Sequence, residues 1–203
     1  MKRLFSLLLA LSMLLCLVGC GTQASPPETP EARTFTDSVD RTVTVPAQIT
    51  KVAVSGTMAQ MLVFALAPDT LAGVAGRWDE SARDYLDEKY YALPVLGHLY
   101  GGKGELNLET LLSSGAQVVV DVGEAKDGIA DDLDRLSAQT GIPFVHIAMT
   151  TDTMGDAFRT LGALLGMEDA AEELAVYCER IYACAKEIAA SVDKVSLLYC
   201  LGG

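Results

Sequence analysis

The sequence predicts an α/β fold: a parallel-sheet lobe with flanking helices, opened by an N-terminal β-hairpin and followed by one long helix. Three observations carry this. Short apolar runs rich in Val and Ile (residues 51–55, 71–75, 117–122 and 144–147) alternate with helical patterns, which implies parallel strands joined by crossovers. Residues 33–46 (RTFTDSVDRTVTVP) hold two alternating runs around a turn-forming Asp-Ser-Val-Asp, the pattern of a hairpin. Apolar residues then recur at Leu174, Cys178, Ile181, Ala185, Ile188 and Val192 in steps of four and three, which makes one continuous helical stripe from residue 168 to about 192.

In chain order, the hairpin is followed by a buried-type strand at 51–55 and a helix at 58–66 that stops before Pro68. A strand at 71–75 ends in Gly76-Arg77-Trp78, residues 81–91 read as helix, and Pro94-Val95-Leu96 as a short extended piece. A short helix at 108–113 precedes QVVVDV (117–122), the strongest strand signal in the chain. Helix at 127–140, strand at 144–147 and helix at 153–165 complete the lobe. At 1.5 Å per residue the final helix would span roughly 36 Å, enough to bridge two lobes. KVSLLYC (194–200) reads as one more strand.

The first 32 residues have a different character. Lys2 and Arg3 precede an apolar run at 4–18, then Gly19 and Cys20, the build of a secretory signal and shorter than a spanning helix needs. Leu17-Val18-Gly19-Cys20 resembles the bacterial lipobox, which implies cleavage before Cys20 and a diacylglyceryl lipid anchor, with palmitate-type acyl chains, on its thiol. Residues 20–32 carry three prolines and no apolar periodicity, so they read as a solvated tether. The expected organisation is therefore 1–19 signal peptide, 20–32 lipidated linker, 33–167 first lobe, 168–193 bridging helix and 194–203 a first strand of something further.

With 15 Lys and Arg against 27 Asp and Glu, the net charge is −12, and it becomes more acidic once Lys2 and Arg3 are removed. Such a surface argues against nucleic acid and against charge-driven adhesion to anionic lipid. Beyond the signal and Cys20 the thiols are Cys178, Cys184 and Cys200, an odd number and so no disulfide framework. Cys178 and Cys184 lie about 240° apart around one helix and should not pair.

In open parallel sheets ligands sit beyond the carboxyl ends of the strands. This places Ser55, Gly56, Thr57, Arg77, Trp78, His98, Tyr100 and Lys103 as candidate ligand contacts. His98 and His146 are the only histidines, too few for a bare zinc or manganese site of the usual donor count. Ser55-Gly56-Thr57 lacks the flanking glycines of a nucleophile elbow, and no phosphate loop, zinc motif or dinucleotide fingerprint occurs, so an enzyme is not expected. A surface protein-interaction module and a bare-metal binder stand as the alternatives to a carrier.

Several segments, in order, are similar to one family. DSVDRTVTVP (37–46), PVLG (94–97) followed by Asn107-Leu108-Glu109, GAQVVV (115–120), GIPF (141–144) and LGALLGM (161–167) together resemble the substrate-binding lipoproteins of ABC importers for iron-siderophores, haem and cobalamin. The resemblance spans about residues 33 to 203. It implies two α/β lobes joined by a long helix, a metal chelate bound between them, and a permease and ATPase as partners. It also implies that Glu109 pairs with a permease arginine, and that this chain holds the first lobe and bridging helix with the second lobe mostly absent. Two departures stand out. Asp40 occupies a usual turn glycine, which Asp tolerates, and Gly101-Gly102-Lys103-Gly104 should make the cleft loop longer and more mobile.

Overall fold

A computed structural model describes residues 31–100, 105–196 and 198. The hairpin forms as expected: β1 (Ala32–Thr36) pairs antiparallel with β2 (Thr42–Pro46). Its turn holds Asp40 at φ 61°, the left-handed conformation that Asp accepts. Asp37 organises the turn. Its Oδ1 accepts from the backbone N–H groups of Val39 and Arg41, and its Oδ2 pairs with the Arg41 guanidinium at 2.6 Å. Arg41 also donates to the carbonyl of Phe144, and Asp37 accepts from the backbone N–H of His146. A buried ion pair thus docks the hairpin on the third strand of the main sheet.

That sheet runs β3 (Val52–Val54), β4 (Val118–Gly123), β5 (Phe144–Ala148), all parallel with β4 central. Val52, Val54, Val118, Val119, Val120, Val145 and Ile147 are buried, as strands covered on both faces require. The helices are α1 (Thr57–Leu66), α2 (Glu88–Tyr91), α3 (Leu108–Ser113), α4 (Ile129–Thr140), α5 (Met154–Leu165) and α6 (Glu168–Ser191).

Four expectations change. Residues 71–75 are extended but form no full strand. Ala72 N–H bonds to Val52 and Val74 N–H to Pro94, so the segment changes partner before two successive pairs can form. The helix expected over 81–91 is two short pieces, because Asp79 caps a 3₁₀ turn at Glu80–Ala82 and Asp87 separately caps α2. Helix α4 starts at Ile129 rather than 127, since Gly128 stands in the left-handed conformation at φ 78°. Residues 193–196 and 198 carry no strand pairing, and Val195 and Leu198 are 87% and 86% exposed. Leu197 and residues 199–203 of the expected strand lie outside the described residues, as does everything before Glu31.

Candidate functional site

The carboxyl ends of β3 and β4 open into a cavity of about 470 Å³. Each wall has a local cause. After β3 the chain passes through Ser55 and extended Gly56 into α1, so Ser55 and Thr57 stand at the rim of that helix's N-terminus. Gly97 at φ 85° turns residues 97–100 beside Glu105. A Cβ there would collide with the Glu105 carbonyl oxygen, so only glycine allows the approach that sets His98 and Tyr100 on the cavity wall. Beyond β4, Gly123 and residues 124–126 form the opposite lip.

The floor is Asp121, 6% exposed, at the end of the central strand. The Ser55 hydroxyl donates to Asp121 Oδ1, and His146 Nδ1 meets Oδ2 at 2.8 Å. His146 is fully buried, and its Nε2 has no hydrogen-bond partner among the described residues. The imidazole lies on the far oxygen of the carboxylate and does not touch Ser55. This chain of Ser, Asp and His therefore lacks the Ser-to-His contact that would activate a nucleophile.

On the wall, His98 Nε2 and Thr57 Oγ1 are 3.1 Å apart, and His98 Nδ1 is buried without a partner. The Tyr100 hydroxyl donates to Asp132 Oδ2 at 3.1 Å, and Lys126 Nζ sits 4.3 Å from the centre of its ring. Burial, and then the bond to Asp132, push the Tyr100 phenol up to about 12, so it keeps its proton at neutral pH. Among the described residues no three His, Cys, Asp or Glu side chains gather to hold a metal ion.

Of the residues expected to meet ligand, Ser55, Gly56, Thr57, His98 and Tyr100 come together here. Arg77 and Trp78 do not. They border a separate depression of about 80 Å³, with Trp78 packed against Phe64 at 4.9 Å between ring centres. The extended segment before them bridges to Val52 on the side of β3 away from β4, whereas the cavity opens at the β3–β4 boundary. Lys103 and Cys20 lie outside the described residues. Glu109 is exposed in the first turn of α3, whose N-terminus Asn107 caps by accepting from Thr110 N–H at 2.9 Å. The sequence reading missed Asp121 and Lys126. The signal for Asp121 was present, a lone carboxylate at the end of QVVVDV, but it read as part of the strand.

No family model matches the sequence, and no curated protein matches it. Solved structures do. An ABC transporter solute-binding protein from Sulfurospirillum deleyianum superposes with a TM-score of 0.68 at 22% identity, over 79% of this chain and 50% of that one. The molybdate periplasmic binding protein MolA of Haemophilus influenzae gives 0.59 at 18%, over 78% and 53%. The periplasmic haem-binding protein RhuT from Roseiflexus gives 0.52 at 23%, over 71% and 51%. This chain spans about half the length of each. It has the fold of about half of a periplasmic solute-binding protein of the ABC-transporter type, one lobe and the long helix.

Proposed function

We propose that the chain is the ligand-capturing component of an ABC importer, taking an iron chelate (siderophore or haem) or cobalamin outside the cytoplasm and passing it to a membrane permease with its ATPase. The observation that supports this most is the position of the cavity. It opens at the carboxyl ends of parallel strands, where open α/β sheets bind ligands, in a fold shared with carriers rather than enzymes. Ser55, Gly56, Thr57, His98 and Tyr100 are the contacts on this wall, with Lys103 an expected neighbour. Cys20 carries the lipid that holds the protein at the membrane, and residues 20–32 are its leash. No described helix is long and apolar enough to span a bilayer. Glu109, exposed on α3, is the permease-docking charge.

The test has two arms. The full chain is titrated with haem, a ferric trihydroxamate and cyanocobalamin, each followed by its visible band, with zinc as the bare-metal comparison. Saturable binding of one chelate, weakened by Thr57→Trp in the cavity, is expected. Binding of zinc alone, or of none, would sink the reading. In parallel, labelled fatty acid should enter the wild-type protein in cells and not Cys20→Ala.

A further inference from the structure

The polar groups of the cavity are not neutral about which end of a hydrogen bond they offer. An ionised carboxylate only accepts, and Asp121 lines the floor at 6% exposure. Ser55, 3% exposed, has one proton and has given it to Asp121, so only its lone pairs are left for a ligand. Tyr100 has likewise committed its proton to Asp132. Three polar groups of the cavity, on its floor, rim and wall, therefore present acceptors.

Charge points the same way. Among the described lining residues Asp121 and Glu124 are acidic and Lys126 is basic, standing at the lip over the Tyr100 ring. The N-terminus of α1 favours an anion, but a helix end amounts to about half an elementary charge and its effect is worth well under a full ion. Asp121 sets a buried carboxylate in a low-dielectric floor, where an oxyanion brought against its oxygens would be repelled.

We infer that this cavity selects for a hydrogen-bond-donating or cationic part of its ligand, such as an ammonium, amide N–H or hydroxyl, and discriminates against bare oxyanions, with Asp121 the deciding residue. The inference rests on the carrier reading above and narrows its ligand class.

A matched pair of probes tests it: the gallium(III) complex of desferrioxamine B, a cationic trihydroxamate with a free ammonium, and the same complex succinylated on that amine, which is anionic. Both are diamagnetic, so the full-length chain can be titrated by NMR while the resonances of Thr57, His98 and Tyr100 are followed, with molybdate as the oxyanion arm. The cationic complex should bind about tenfold more tightly or better, the order expected for one charge-assisted contact, and molybdate should leave these resonances unmoved. Asp121→Asn should collapse the preference, whereas Ser55→Ala, which keeps the carboxylate, should retain it. Equal or tighter binding of the anionic complex, or molybdate in the cavity, overturns the inference and leaves the carrier reading standing. Failure of both complexes together with haem and cobalamin overturns the two together. The comparison on the unaltered chain decides even where Asp121→Asn does not fold.

Discussion

The two halves of α6 share one apolar stripe and meet different surroundings. In the first half, Ala171 and Ala175 are fully buried against α5, where Gly162 and Gly155 leave room for close approach. Arg159 on α5 clamps the same junction through Glu172 at 2.6 Å and Glu179 at 2.5 Å. Leu174 and Cys178 are half-buried beside an apolar groove with Met58, Met149 and Phe158. In the second half, Ile181 and Ile188 are 50% and 58% exposed, and the helix runs on past the lobe. Periodicity declares which face is apolar; burial needs a partner opposite it.

The largest effect should come from closing the gap in the docked half. A Cβ on Gly162 would already collide with the Ala171 side chain, so Gly162→Leu must push α5 and α6 apart, at a cost of about 3 kcal/mol. Urea unfolding would show it as a lowered midpoint. An unchanged midpoint would mean the helices can part freely and the contrast between the halves is superficial.

A smaller effect should follow from the clamp, and it should depend on pH. The hydrogen bonds from Arg159, ahead of its charge, hold the Glu172 and Glu179 carboxyls below their ordinary 4.5. Groups depressed in this way stabilise the fold above the unfolded value, and that stability is lost as pH falls through the lowered folded value. Arg159→Ala should therefore cost stability at pH 7 and flatten the loss below about pH 4.5. Molar salt should shrink the difference, because the clamp is exposed to solvent. Parallel acid limbs for the two proteins would remove the clamp from the account.

The smallest effect belongs to the distal half. Ile181→Lys combined with Ile188→Lys should change unfolding free energy by no more than about 0.5 kcal/mol, as exposed positions do. A loss of several times that would reveal cover over this face and erase the difference drawn between the halves.

Local signals transferred well where the cause was local. The hairpin, including an Asp at positive φ, and the helices at 58–66, 108–113 and 153–165 all lie within a residue or two of their patterns. The failures were of pairing and competition. Residues 71–75 look like a strand until partner exchange between Val52 and Pro94 is known. Residues 81–91 look like one helix although Asp79 and Asp87 each cap their own. At the site, glycine-bounded strand ends pointed to Ser55, Thr57, His98 and Tyr100. Trp78 carried the same kind of signal, yet its ring packs on Phe64 away from the cavity.

What the sequence determined by itself was the alternation of elements, the long single-stripe helix, the acidic balance and the strand ends that meet at the cavity, because each follows from side-chain periodicity or turn chemistry over a few neighbouring residues. Only the tertiary structure decided that Asp121 is the floor of the site, that His146 is its buried partner and that Ser55 spends its proton there. These three residues stand on, or one residue past, separate strands, 66 and 25 positions apart in their two contacts. No local pattern encodes the direction of a hydrogen bond between chain segments so distant in sequence.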